Sequence, residues 1–176
     1  MGTISRPVPV KLICGFIFSA SDAYLRAKLH IERRFGKADL ESAPIPFTFT
    51  DHYTKEMGSG LTRRFCSFTR LIMPDTLAAV KVWTNDVEKK LSRNGQRMVN
   101  LDPGYLDLAR LVLASTKDFR HRIYIGRGIH AEITLFFQGK SFRSGELTYP
   151  DYRTPEYIGI FNRIRDLYAL QIKKRP

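Results

Sequence analysis

Lys11 to Phe18 reads Lys-Leu-Ile-Cys-Gly-Phe-Ile-Phe, a nearly unbroken apolar run. Strand side chains alternate between faces, so a run apolar on both must be covered on both, and it predicts an interior strand with a layer above and below. The rest of the chain has to supply that cover. After Ser19 and Ser21, Asp22 to Phe35 sets Tyr24, Ala27, Ile31 and Phe35 on one helical face and stops at Gly36, a common terminator. Pro74 to Leu91 starts with Pro74 and Asp75, carries Leu77, Val80, Thr84, Val87 and Leu91 at helical spacing and ends before Gly95, which predicts a second helix. Between them, Ile45 to Thr50 alternates apolar and polar residues and Arg64 to Ile72 is strand-like.

Beyond the second helix, Val99–Leu101, Arg110–Ser115, Arg122–Ile125 and Ile129–Phe137 read as strands. Thr154-Pro155-Glu156 then opens a last helix with Ile158, Phe161, Ile164, Leu167 and Leu170 inward. The first six elements run strand, helix, strand, strand, helix, strand, the order of a ferredoxin-like split βαβ unit. The expected fold is therefore α+β: a ferredoxin-like core in a mixed, largely antiparallel sheet, widened by C-terminal β-hairpins and covered by a terminal helix. A chain of 176 residues fits one domain, with 1–9 as a loosely ordered N-terminal arm.

The segment 122–134 can be read to the level of pairing. Ile123 and Ile125 point one way, as do Ile129, Ala131 and Ile133 beyond Gly126-Arg127-Gly128. Apolar must oppose apolar, and a three-residue loop achieves this by pairing Ile125 with Ile129 and Ile123 with Ala131. On the other face Tyr124 then meets His130, and Arg122 meets Glu132. Imidazole beside carboxylate can move a proton or bind a divalent cation, so Tyr124, His130 and Glu132 are candidate catalytic residues. Two ligands alone fall short of a closed metal site. A solvated face bearing an Arg122–Glu132 pair is the structural alternative.

Other polar groups cluster nearby in sequence. Asp102-Pro103-Gly104 is a turn signature that would present Asp102 and Tyr105 to a ligand. Ser115-Thr116-Lys117-Asp118 follows a buried strand, where Lys117 with its hydroxyl neighbours could hold a phosphate. Asp51-His52-Tyr53 with Glu56-Met57-Gly58-Ser59-Gly60, and Tyr149-Pro150-Asp151-Tyr152-Arg153 before the last helix, pack aromatic, acidic or basic groups into loops and read as rims of a pocket. Asp102, Tyr105, Lys117, Arg122 and Arg153 are the candidate ligand-binding residues. No Gly-x-x-x-x-Gly-Lys-Ser/Thr, Gly-x-Gly-x-x-Gly, Gly-x-Ser-x-Gly or Cys-x-x-Cys occurs.

The formal net charge is +12. It favours phosphate-rich partners by long-range attraction, but the cations are scattered: Arg33 and Arg34 end the first helix, Lys89, Lys90, Arg93 and Arg97 the second, and Lys173, Lys174 and Arg175 the chain. Nucleic-acid binding is expected to be weak, sequence-indifferent and salt-sensitive. Cys14 and Cys66 lie in apolar runs and suggest no disulfide framework, consistent with a reducing cytoplasm. No apolar run approaches the roughly 20 residues that cross a bilayer.

Taken together, Pro-Ile-Pro-Phe-Thr-Phe-Thr-Asp-His-Tyr (44–53), Glu-Met-Gly (56–58), Asn-Leu-Asp-Pro-Gly-Tyr-Leu (100–106), Leu-Ala-Ser-Thr-Lys-Asp (113–118), His-Arg-Ile-Tyr-Ile-Gly-Arg-Gly-Ile-His-Ala-Glu-Ile-Thr-Leu (121–135) and Thr-Tyr-Pro-Asp-Tyr-Arg (148–153) carry a resemblance. The chain resembles, over essentially its whole length, the prokaryotic family known as domain of unknown function 4416. Its members often bear the label GTP-binding protein. This chain has no phosphate loop, and Thr-Lys-Asp-Phe at 116–119 lacks the spacing of a guanine-reading Asn/Thr-Lys-x-Asp. The leading expectation is a protein that binds, or acts on, a phosphate-bearing small molecule or nucleotide at the polar sheet face. An RNA-binding module, with Phe65 and Phe68 stacking bases, is the first alternative, and a non-catalytic scaffold the second.

Overall fold

The computed structural model describes residues 2–173. Lys174 and Arg175 of the basic C-terminus lie outside the described residues, and 2–9 carry no helix or strand. In chain order the strands are β1 (Val10–Phe18), β2 (Ala38–Glu41), β3 (Ile45–Pro46), β4 (Thr62–Ile72), β5 (Val99–Leu106), β6 (Arg110–Ser115), β7 (Ile123–Gly126), β8 (Ile129–Gln138) and β9 (Ser141–Ser144). The helices are α1 (Ser21–Phe35), the short α2 (Thr54–Met57), α3 (Leu77–Leu91) and α4 (Pro155–Lys173). The sheet runs β2-β4-β1-β5-β6-β8-β7, with β3 on β4 and β9 on β8, and every described pair is antiparallel.

The apolar run of β1 is interior, as expected, and so is β6. The even residues Leu12, Cys14, Phe16 and Phe18 pack with Tyr24, Ala27 and Ile31 of α1 and Val80 and Val87 of α3. On the opposite face Ile13 joins Phe65, Leu111, Leu135 and Tyr157, Phe161 and Ile164 of α4. Ile17 is covered there by Phe47, Met57 and Leu61 from the segment around α2. Each side of one strand is therefore sealed by a different part of the chain, which is what its sequence demands.

The sheet is forked. β5 and β6 pair only over Gly104–Leu106 against Leu111–Leu113. A Cβ at Gly104 would stand 2.4 Å from the Val112 carbonyl oxygen, so only glycine allows this approach. Past that point β5 continues along β1 and β6 along β8, leaving one edge of β5 open. Side chains of α3 replace the missing strand: the Leu101 N–H donates to Glu88 Oε1 at 2.6 Å, and its carbonyl accepts from Lys81 Nζ at 2.7 Å. Pro103, two residues on and facing the same open side, has no N–H to leave unpaired.

Several sequence expectations need correction. Asp102-Pro103-Gly104 is not a turn; all three residues lie inside β5 opposite Gly15, Cys14 and Ile13. The proline and glycine answer to an open edge and a close approach, not to turn dihedrals. Of Ile45–Thr50 only Ile45–Pro46 is strand, and the strand that flanks β4 outermost is Ala38–Glu41. The β7–β8 hairpin pairs Ile123 with Ala131 and Tyr124 with His130 as expected, but Gly126, not Ile125, faces Ile129. Its loop is two residues, Arg127 and Gly128, both at positive φ, with Ile125 bulged. Ile129 is buried, but Ile123 and Ile133 are exposed on the same face. In α4 the buried stripe is Tyr157, Ile160, Phe161, Ile164 and Tyr168, whereas Leu170 is exposed.

Candidate functional site

A cleft of about 780 Å³ opens at the fork. Its floor is Asn100 and Asp102 of β5, Arg63 of β4 and Leu113 to Ser115 of β6. Phe47, Phe49, His52 and Tyr53 form one wall and Tyr149 to Tyr152 another, while Lys81, Asn85, Glu88, Lys89 and Arg97 close the α3 end. Strand alternation puts Asn100, Asp102 and Arg63 on the face that carries Ile17, which the segment around α2 covers.

Arg63 anchors the floor. Its guanidinium lies against Gly15, where a Cβ would come within 2.9 Å of Nη1, and over the rings of Phe47, Phe65 and Tyr152. Nη1 donates to Asp102 Oδ2 at 2.8 Å and Nη2 to Asp151 Oδ2 at 3.1 Å. Burial works against the charge, but Tyr152, Asp102 and Asp151 outweigh it and hold the arginine protonated. Burial likewise opposes ionisation of Asp102, and Arg63 and Lys81 overcome it, holding the carboxyl below its ordinary range. The chain of contacts continues: Asn100 Nδ2 donates to Asp102 Oδ1 at 2.9 Å, Arg97 donates to Asn100 Oδ1 at 3.0 Å, and Arg97 forks onto Glu56 at 2.9 and 2.6 Å. The Arg97 bonds pull Glu56 below its usual range, whereas burial pushes Glu88 up despite Lys81 nearby.

A pH consequence follows from Asp102. Its folded pKa is depressed below the ordinary 3.8, so its contribution to stability is complete above that value and lost as pH falls through the lower, folded one. Urea midpoints measured between about pH 5 and 2.5 are expected to fall more steeply for the wild type than for Asp102→Asn. Parallel curves would show that the fold does not lower the Asp102 pKa.

The second polar cluster surrounds Glu132, which is 4 % exposed. Arg122 Nε donates to Glu132 Oε2 at 2.7 Å, His121 Nε2 lies 3.1 Å from the same oxygen, and Thr134 Oγ1 donates to Oε1 at 3.1 Å. Arg122 also donates to the Lys117 carbonyl at 2.9 Å and to the Tyr149 hydroxyl at 2.5 Å. The expected Arg122–Glu132 ion pair is present, with Arg122 one residue before the start of β7.

Of the residues singled out in the sequence, Asp102, Lys117, Arg122 and Glu132 line the cleft. Tyr124 and His130 share the sheet face, with ring centroids 5.4 Å apart, but do not line it. Tyr124 is largely exposed, and His130 Nε2 lies 3.5 Å from Asp118. Tyr105 falls on the opposite face, against the cores beneath α1 and α3, because residues 102 and 105 in one strand point apart. Arg153 is tied to the carbonyls of Thr148 and Glu146. Among the described residues no group of three or more His, Cys, Asp or Glu is placed to hold a metal ion.

Sequence reasoning misses Arg63, Lys81, Glu88 and Asn100, reads Arg97 only as a charge near a helix end, and reaches Asp151 only as part of the 149–153 segment. A signal for two of them exists: Leu77, Lys81, Thr84 and Glu88 step by four, three and four, so a lysine and a glutamate stand on the buried stripe of α3. Charges there must have partners, which marks them for attention.

The fold and site thus define an α+β protein with an antiparallel sheet of nine strands and a charged, aromatic-walled cleft at a sheet fork. The chain belongs to the family described as Domain of unknown function (DUF4416), whose sequence model matches residues 8–168. No curated protein and no solved structure matches it. No helix among the described residues is long and apolar enough to cross a membrane.

Proposed function

We propose that the cleft binds a phosphate-bearing small molecule of nucleotide size. The observation that carries this reading is Lys117. Its backbone is held at both ends, its N–H donating to Ser115 Oγ and its carbonyl accepting from Arg122, while its exposed side chain lines the cleft with no acidic partner among the described residues. Six lysine and arginine side chains line the cleft (Arg63, Lys81, Lys89, Arg97, Lys117, Arg122) against four carboxylates (Glu88, Asp102, Glu132, Asp151). Phe49 and Tyr149, each nearly half exposed, offer apolar contact for the rest of such a ligand.

The fold part of this reading is that β1, α1, β2, β4, α3 and β5 form a ferredoxin-like split βαβ unit. Its support is the strand order β2-β4-β1-β5, antiparallel throughout, with α1 and α3 packed on one face. β2 then takes the place first expected of Ile45–Thr50. A cytoplasmic location fits Cys14 and Cys66 as buried free thiols, with Cys66 pushed up to about 12 chiefly by burial. The RNA reading is weaker, because Phe65 and Phe68 are 0 % exposed and α4 occupies the face on which bases would stack.

The test is calorimetric titration with inorganic pyrophosphate, ribose 5-phosphate, ATP and GTP. Lys117→Ala is expected to weaken the compound that binds roughly 10- to 100-fold, the loss of one charge-assisted bond, with no change in melting temperature. Absence of millimolar binding by all four compounds would overturn the reading.

A further inference from the structure

We infer that Arg122 and Glu132 form a latch that holds the two loops at the mouth of the cleft in register with each other, and that this, rather than contact with a ligand, is the work of the polar sheet face. The inference rests on the cleft being a binding site. The Arg122 and Glu132 side chains are 4 % and 3 % exposed, so both sit where water cannot replace a lost partner. One guanidinium spends its donors in three directions: on Glu132 of β8, on the Lys117 carbonyl of the 115–122 loop, and on the Tyr149 hydroxyl of the 145–153 loop. Those loops are far apart in sequence, yet each contributes a cleft-lining side chain through the same group.

The connection continues from Glu132 into the second loop. Thr134 Oγ1 donates to Glu132, Thr148 Oγ1 donates to the Thr134 carbonyl at 2.8 Å, and the Gly145 N–H donates to Thr148 Oγ1 at 2.9 Å. Arg153 Nε closes it on the Thr148 carbonyl at 2.7 Å. The same loop delivers Asp151 to Arg63 on the cleft floor. Lys117 at the mouth and the loop that carries Asp151 to the floor are therefore tied into one contiguous set of hydrogen bonds. Arginine suits the hub because a lysine keeps the charge but lacks a planar fork able to bond in three directions.

The experiment is native-state hydrogen exchange by mass spectrometry on the full chain, comparing wild type, Arg122→Lys and Thr148→Val, with pyrophosphate titrated into each. Arg122→Lys is expected to speed exchange at least tenfold in both 115–121 and 146–152, with β1 and α4 unchanged. Thr148→Val, cutting the connection downstream, is expected to speed 146–152 alone. Where wild type binds pyrophosphate, Arg122→Lys is expected to weaken it at least fivefold. Acceleration confined to 115–121 in Arg122→Lys, no acceleration, or unchanged pyrophosphate affinity would each overturn the latch. Failure of wild type to bind any phosphate compound would count against the proposed ligand class, and the exchange pattern would still decide the latch.

Discussion

Replacing Arg63 by alanine is expected to cost about 3–5 kcal/mol of folding stability, because it strands Asp102 and Asp151 without their common cation. Both carboxylates bond directly to the guanidinium, and Asp151 is 6 % exposed, so solvent compensates little. In a domain of this size the loss corresponds to a fall of roughly 6–20 °C in melting temperature. The same substitution removes a side chain packed over three aromatic rings, so a control must separate charge from volume. Arg63→Met keeps much of the volume and should still be strongly destabilised. Arg63→Met with Asp102→Asn and Asp151→Asn should recover most of the loss, since a buried ion cluster replaced by neutral groups is often nearly neutral. Denaturant midpoints of the variants decide the matter. A drop below about 1 kcal/mol for Arg63→Ala would place the cluster in effective contact with water.

Legibility in the sequence followed the strength of the physical demand at each position. The two-sided apolar run of β1 admits only an interior strand, and α1 and α3 carry stripes that can cover just one of its faces. Those elements were readable because burying a misplaced charge or exposing such a run would be costly. Ala38–Glu41 left no comparable mark: four residues, Ala-Asp-Leu-Glu, on an outer strand with alternating partial exposure. Asp102-Pro103-Gly104 misled because the residues that favour a turn also suit an open strand edge and a close strand approach. Local composition cannot separate these cases; the distance from Gly104 to Val112 does.

The site divides in the same way. Arg122 and Glu132 could be paired in advance, since strand register is fixed by which residues must share a face. Arg63, Asn100 and Asp151 could not, because their meeting depends on β4, β5 and a loop before α4 converging across 88 residues of sequence. Tyr105 was assigned with Asp102 only because a turn was expected between them. Once the segment is a strand, alternation sends the two to opposite faces.

The fork itself makes the last prediction. β5 and β6 are joined by three residue pairs, and Gly104 is one of them. An alanine Cβ there would meet the Val112 carbonyl oxygen at 2.4 Å, Leu113 Cδ2 at 2.7 Å and Ile13 Cδ1 at 3.3 Å. The first contact is backbone and cannot rotate away, so β6 must shift. Gly104→Ala is therefore expected to cost about 3 kcal/mol, the upper end for overpacking, despite adding one methyl group. The damage should be local in its first expression: amide exchange in β6, β8 and β9 should rise well before that in β1 and β4, whose 8 paired positions do not involve Gly104. Because Ser115 and Lys117 hang from the end of β6 and Asn100 and Asp102 from β5, a displaced β6 also alters the spacing of the cleft, and any phosphate compound bound by the wild type should be lost with it. Uniform loss of protection across the whole sheet, or a stability change below about 1 kcal/mol, would show that the strands can part at Gly104 without strain.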